Sequence, residues 1–516
     1  MQSLPPQHTH ATNKSIDHWT DERIWGHRFH NEQTPWLVIL EFLAVFRSRA
    51  ETGCALQEPP EDGEHESVQY EIPRHKHLRY LIFNNPYMQH IEATVTKDVD
   101  RWKAWRETVK DAPFDESFDY LHDRFREFSR FSRVVEYFQN TALEPERGRR
   151  WTSKFIFPHG PDCIYADVGA NAPSGIGGMD RLFFARAGEL LYLMLNRSGR
   201  GAELATAINT KLLRSDDRWN RLARALQPDG IPPCPDPVST TAGYLPYPER
   251  NEYTDIARDW VGLLSTDMPG AAILDPLMRM TGLHLIRYVL RRAQEEVGER
   301  PEPRIVLEIA APKKTLLFGL SKESYDANRS LSRRALETHL ESTRMTREWR
   351  DVCASREPAL AAFTHLKEAY NWRAKEQPGG DPDTIFEALR ASAINKHAEH
   401  MGKVVPDWSR QIGLATARRG VGTWYSPDDA FLKALVMTTV VDREEYQRFL
   451  SRLYDHYGLV IGVTEAERAY GSLPTDERVF IENAARLEQR LRTLGLLHRL
   501  SDDCAYVTNP FRATAQ

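Results

Sequence analysis

Pro474-Thr475-Asp476-Glu477 opens the stretch that decides how the C-terminal part folds, and its pattern runs on to Phe511. Thr475 can cap free backbone N–H groups, and Asp476 and Glu477 suit the positive end of a helix dipole. Phe480, Ala484, Leu487, Leu491 and Leu494 follow at steps of four and three, which is one face of a helix. Gly495 stands where a left-handed C-cap falls. Leu496-Leu497-His498-Arg499-Leu500, then Ser501-Asp502-Asp503, then Cys504-Ala505-Tyr506-Val507-Thr508 read as strand, tight polar turn and strand. Pro510 ends the pairing because it has no N–H to donate.

Upstream, Glu444 to Tyr457 is a second helix, with Tyr446, Phe449, Leu450 and Leu453 on one side. Gly458 to Gly462 can form a short strand and Thr464 to Tyr470 a short helix. The order helix, strand, helix, helix, hairpin resembles a winged helix over residues 441–516. That resemblance implies DNA contact through the last helix and the hairpin. The residues facing outward would be Arg478, Asn483, Arg486, Gln489 and Arg490, with Arg499 on the wing. Arg and Gln can read base edges, and Arg also neutralises phosphate. The local charge points the other way: from Asp442 to Gln516 ten arginines and no lysine face twelve acids, a net of −2. Glu482 and Glu488 stand close enough along the helix to pair with Arg486 and Arg490.

The 516 residues are enough for two to four domains, and 41% apolar with 27% charged residues is ordinary for a globular protein. A net charge of −5 excludes a molecule that is basic all over, so any polyanion surface must be local. The five cysteines, Cys54, Cys163, Cys234, Cys353 and Cys504, form no CxxC pair. A structural zinc site is therefore not expected, and isolated thiols suit a reducing cytoplasm. Met1 to Ser15 has no apolar core of a signal peptide, and Trp36 to Phe46 is too short to span a bilayer. The expected location is cytoplasmic, with no membrane partner.

Residues 1–18 read as a disordered tail. Residues 19–227 read as an N-terminal, mostly helical domain containing an apolar helix over 36–49. Helices are also expected over 90–107 and 117–143, the second with an aromatic stripe of core type. Seven prolines between Gln227 and Tyr253 mark residues 228–252 as a linker. A central helical domain, 253–440, follows. It carries Arg287, Arg291, Arg292, Lys322, Arg329, Arg333 and Arg334 as possible positive charge, with Lys313 and Lys314 between its helices. Arg418-Arg419-Gly420-Val421-Gly422-Thr423-Trp424-Tyr425 is a basic, aromatic loop, and Arg418, Arg419 and Trp424 could touch nucleic acid by charge and stacking. Ser426 and Pro427 then open a helix reaching Val440.

Catalytic patterns are thin. The loop Gly169 to Met179 lacks the Gly-Lys-Ser/Thr of a P-loop, so no nucleotide or other cofactor is expected. Asp162, Asp167, Asp180 and Glu189 lie close in sequence, as in some magnesium nucleases, and Glu308 with Lys313 loosely resembles a metal-nuclease core. The fold expected is mainly α with a few short strands, several domains ending in a winged helix. The function expected is a non-catalytic DNA-binding adaptor that works with other protein subunits. The general character of the chain resembles accessory subunits of bacterial anti-phage defence systems. The alternatives are a divergent metal-dependent nuclease and a scaffold whose winged helix docks a partner subunit.

Overall fold

Apolar residues at three- and four-residue steps drive most of the chain into helices that bury one face. A computed structural model describes residues 17–30, 33–57, 68–72, 75–83, 87–110, 117–140, 160–164, 186–229, 238–241, 245, 247–298, 304–309, 316–374, 379–500 and 504–511. The chain begins with α1 (Thr20–Trp25), α2 (Pro35–Glu51), β1 (Gln69–Ile72), α3 (Lys76–Phe83), α4 (Met88–Thr94) and α5 (Asp98–Thr108). It continues with α6 (Asp119–Phe125), α7 (Phe128–Asn140), α8 (Ala187–Asn196), α9 (Gly201–Lys211), α10 (Arg218–Ala225) and β2 (Val238–Thr241). The middle is α11 (Asn251–Leu264), α12 (Gly270–Val297), β3 (Ile305–Val306), α13 (Leu316–Arg344), α14 (Arg347–Cys353), α15 (Pro358–Tyr370), α16 (Pro382–Glu399) and α17 (Val404–Gln411). Last come β4 (Thr416–Arg418), β5 (Gly422–Trp424), α18 (Asp429–Thr439), β6 (Arg443–Glu445), α19 (Tyr446–Tyr457), β7 (Leu459–Val460), α20 (Val463–Tyr470), α21 (Glu477–Thr493), β8 (Leu497–Arg499) and β9 (Ala505–Thr508). The fold is mainly α with a few short strands, as the periodicity implies.

The core is built around α12, which packs on α1, α2, α11, α13, α17 and α18. Leu277, Met280, Leu283, Ile286 and Val289 of α12 belong to one apolar cluster that extends from Ile24 to Val507. That cluster crosses the boundary expected at 228–252. Within this stretch β2 pairs antiparallel with β1, Gln69 opposite Thr241, and Leu245 is buried. On either side of it α8 and α9 pack on α11. The expected division into 19–227 and 253–440 therefore gives way to a shared core, because the apolar faces on both sides have each other to cover. Residues 230–237, with four of the prolines, lie outside the described residues.

A smaller cluster joins Leu78, Trp102, Trp105, Phe128, Phe131 and Phe138 to Ala223 and Leu226 of α10. The aromatic stripe is core, as read, but the expected single helix over 117–143 is two, broken where Arg126 takes φ 57. The helix expected over 90–107 is likewise two, α4 and α5. Order also begins earlier than the expected 1–18 tail ends. The amide of Arg373 donates to the carbonyl of Asp17 at 2.6 Å and His18 is buried; residues 1–16 lie outside the described residues.

The C-terminal stretch folds as α18, β6, α19, β7, α20, α21 and the hairpin β8–β9. β6, β9 and β8 form an antiparallel sheet in that order, with Glu444 and Leu497 on either side of Val507. The third strand of this sheet is Arg443–Glu445, and the strand expected over 458–462 forms as β7, outside this sheet. Leu459 and Val460 instead pair in parallel with Ile305 and Val306. α21 is capped by Asp476, which accepts from the Arg478 amide at 2.9 Å, one residue later than the expected Thr475. Gly495 takes φ +72, the left-handed conformation that glycine adopts at least cost. No helix among the described residues is long and apolar enough to cross a membrane.

Candidate functional site

The helix that carries the expected DNA-reading residues is tied down along most of its length. Asn483 is not outward but fully buried, at 0% exposure. Its carboxamide oxygen accepts from the Ile309 amide at 2.9 Å, and its nitrogen donates to the carbonyls of Leu307 and Ile461, each at 3.0 Å. One side chain thus fastens α21 to the two parallel strand segments beneath it. Arg490 is held by Asp429 at 2.7 Å and by the carbonyl of Pro427 at 3.0 Å, which docks the end of α21 on the start of α18. Arg499 of the hairpin pairs with Glu488 at 3.0 Å, and Arg486 stands 3.6 Å from Glu482. Arg478 and Gln489 remain exposed. Neutralised in place, Arg486, Arg490 and Arg499 offer little to a phosphate.

The loop expected over 418–425 is a hairpin, β4–β5, and its two ends differ in character. Its base is sealed. Trp424 is 5% exposed, its indole N–H donates to Glu308 at 3.0 Å, and its ring meets Phe318 of α13 edge-on. It is therefore a core residue and not the stacking platform expected of it. The Tyr425 carbonyl accepts from the Glu308 amide and from the Ser321 hydroxyl, both at 2.9 Å. The Tyr425 hydroxyl accepts from Asn328 at 3.1 Å, and burial pushes its ionisation up, so it stays neutral. The Thr416 hydroxyl donates to the Ser426 carbonyl at 3.0 Å, and Asp428 caps α18 in place of the expected Ser426.

The tip is exposed and basic. The chain reverses over Arg419-Gly420-Val421, with the Val421 amide donating to the Arg418 carbonyl at 3.1 Å and Gly420 at φ +77. Arg418 and Arg419 are exposed and pair with no acid among the described residues; the Arg418 guanidinium lies 5.8 Å over the Trp424 ring. α13 adds charge beside them. Lys322, held by Asp326 at 2.6 Å, would lie 3.2 Å from a Cβ placed on Gly422. Arg329 and Arg410 both act electrostatically on Tyr325, whose hydroxyl bonds Thr423 of the hairpin. Arg329 is exposed with no acid partner among the described residues, while Arg410 pairs with Asp407. The structure thus places Lys322 and Arg329 of α13 and Arg410 of α17 near β5 of the hairpin that carries Arg418 and Arg419, with Lys322 and Arg410 paired to acids of their own helices.

Other expected cations and acids are already engaged. Arg287 and Arg292 are buried, and Arg291 stands 3.5 Å from Glu252. Arg333 pairs with Glu337. Asp162 accepts from Asn220 at 2.8 Å and from Arg224 at 2.7 Å; Glu189 accepts from Tyr70 at 2.5 Å and from Arg186 at 2.7 Å. Asp167, Asp180, Lys313, Lys314 and the loop 169–179 lie outside the described residues. Among the described residues no three His, Cys, Asp or Glu side chains are grouped to hold a metal ion.

One catalytic-looking constellation has no signature in the sequence. Ser332 Oγ lies 3.1 Å from His397 Nε2, and His397 Nδ1 lies 3.1 Å from Asp21, a hydroxyl–imidazole–carboxylate chain. All three side chains are buried, and Ser332 sits in the middle of α13. A substrate carbonyl cannot approach that hydroxyl, so the chain acts as a strut joining α1, α13 and α16. Burial works to raise the Asp21 carboxyl, but His397 and then Arg28 outweigh it and hold it below the usual range. No spacing rule could find this set, since Asp21 and His397 are 376 positions apart.

Comparison of the chain with protein-family models, with curated proteins and with solved structures returns no match.

Proposed function

We propose that the protein is a non-catalytic DNA-binding adaptor that contacts the phosphate backbone through the tip of β4–β5 and the adjoining face of α13. The observation that carries this reading is the contrast within one hairpin: a base closed by Trp424 and Tyr425, and a tip whose arginines meet no acid among the described residues. A rigid base lowers the ordering cost of binding, and unpaired guanidinium groups are free to replace phosphate counterions. The C-terminal module, with its three-stranded sheet and α21, resembles a winged helix in element order. Its paired arginines favour a role in holding the hairpin rather than in reading bases. Exposed Ile481 and Leu500 support a second reading of that module, as a docking surface for another protein subunit.

The test is a gel-shift titration of the purified chain against duplex and single-stranded DNA over a salt series. Affinity should fall linearly in log–log form, with a slope of about −0.9 for each phosphate contacted. Absence of binding to every nucleic acid at about 50 mM salt, where phosphate contacts are strong, would remove the proposal.

A further inference from the structure

We infer that the junction of α11, α12 and α19 binds one small phosphate-type oxyanion, with Arg287 and Arg258 as its ligands and Arg291 beside them. The inference stands apart from the DNA-binding reading. α11 and α12 face each other through three rungs, each an acid of α11 opposite a base of α12. Glu252 lies 3.5 Å from Arg291, Asp255 lies 3.8 Å from Arg287 and Asp259 lies 2.6 Å from His284. The outer acids are well supplied. Glu252 also accepts from Arg250 at 3.1 and 3.2 Å, and Asp259 from the Tyr457 hydroxyl of α19 at 2.7 Å.

The middle rung is different. Asp255 accepts its hydrogen bond from Arg258, at 3.0 Å, so one carboxylate serves two guanidinium groups. Arg287 is withdrawn from the surface, at 6% exposure, and its Nη1 is buried with no acceptor among the described residues. The Arg258 Nη2 is buried in the same condition. The Arg287 guanidinium lies 5.7 Å over the Tyr457 ring, a contact that uses the π face of the ring and none of the five N–H donors. Burial, and then the like charge of Arg291, pull the Arg287 pKa below the ordinary arginine value. A buried cation short of acceptors is costly, and an anion with several oxygens supplies what one shared carboxylate cannot. The Arg258 and Arg291 side chains reach solvent, at 37% and 21% exposure, so an ion arriving there meets them first. Arg287 lies too deep for the backbone of a duplex.

Isothermal titration calorimetry of the full chain with inorganic phosphate tests this, with ionic strength fixed at about 0.15 M by sodium chloride. One equivalent should bind with a Kd of about 1 mM or tighter, as two or three charge-assisted hydrogen bonds give. Arg287→Met and Arg258→Gln should each weaken binding at least about tenfold. Urea unfolding in phosphate-free buffer supplies a second readout. There Arg287→Met should be as stable as wild type or more so, because it removes a buried charge short of partners. Phosphate should then raise the midpoint of wild type but not of the variant. No binding of phosphate, binding unchanged in both variants, or a lower midpoint for Arg287→Met without phosphate overturns the inference. Displacement of bound phosphate by a short DNA duplex also overturns it and gives these arginines to the DNA backbone instead.

Discussion

Asn483 is the residue whose replacement should most clearly separate the C-terminal module from the layer beneath it. Asn483→Leu keeps most of the volume and removes all three hydrogen bonds. The Ile309 amide loses the acceptor it has in the structure, and the carbonyls of Leu307 and Ile461 each lose a donor. A buried donor left unpaired costs about 1–3 kcal/mol, and two carbonyls deprived of one bond each add to it, so a loss of about 3–5 kcal/mol is expected. A chain of this length need not unfold in one step, so a local readout is preferable to a melting temperature. Hydrogen exchange followed by mass spectrometry should show the segments 305–309 and 459–461 opening about 100-fold faster or more, at 1.4 kcal/mol per tenfold. Helices α2 and α8, which pack on each other and on α12 and α11, should exchange as before. Asn483→Asp retains the acceptor for Ile309 but turns a carboxylate toward two carbonyl oxygens. It should be at least as damaging near neutral pH and recover partly in acid, where the protonated group can donate once. If Asn483→Leu leaves exchange in both segments within about threefold of wild type, the energetic role given to this clamp is wrong.

Two further outcomes follow from buried and half-buried charges. Burial, and then Glu189 beside it, pushes the Glu41 carboxyl from 4.5 up to about 8. The folded state then holds a proton that the unfolded chain releases, so this group's contribution to stability is full below about 4.5 and declines as pH rises to about 8. Urea titrations at several pH values should find that decline flattened in Glu41→Gln; an unchanged slope would count against a protonated Glu41. Arg490→Ala removes an ion pair and a hydrogen bond to the start of α18 and should cost about 1–2 kcal/mol, read as a lower urea midpoint, without altering DNA affinity. A weakening of DNA binding equal to that of a hairpin variant would return α21 to the interface.

Much of the C-terminal module was legible because its signals are local. The face of Phe480, Leu487 and Leu491, the Gly495 cap and the two strand patterns after it each act over a few residues, and the structure has the helix at Glu477–Thr493 and the strands at Leu497–Arg499 and Ala505–Thr508, while the expected turn 501–503 lies outside the described residues. β6 was missed because Arg443-Glu444-Glu445 shows no apolar alternation; only its partner β9 makes it a strand. The burial of Asn483 is not legible, because a polar residue beside an apolar stripe reads as surface and nothing nearby in sequence announces Leu307, Ile309 and Ile461. The burial of Trp424 is hidden for a different reason. A basic, glycine-bearing loop suggests exposure, but Glu308 and Phe318, both more than a hundred residues upstream, close over the ring. The arginines of α21 had half their partners in view, since Glu482 and Glu488 are neighbours in sequence, while Asp429 could be supplied only by the fold.

The most direct measurement is the salt slope of duplex binding for wild type, for the double variant Arg418→Ala/Arg419→Ala and for Arg329→Ala. Each arginine that contacts a phosphate should shrink the slope by about 0.9 when removed, with affinity lost most at low salt. Slopes unchanged in both variants, on protein whose hydrogen exchange matches wild type, would contradict the placement of the polyanion on this hairpin.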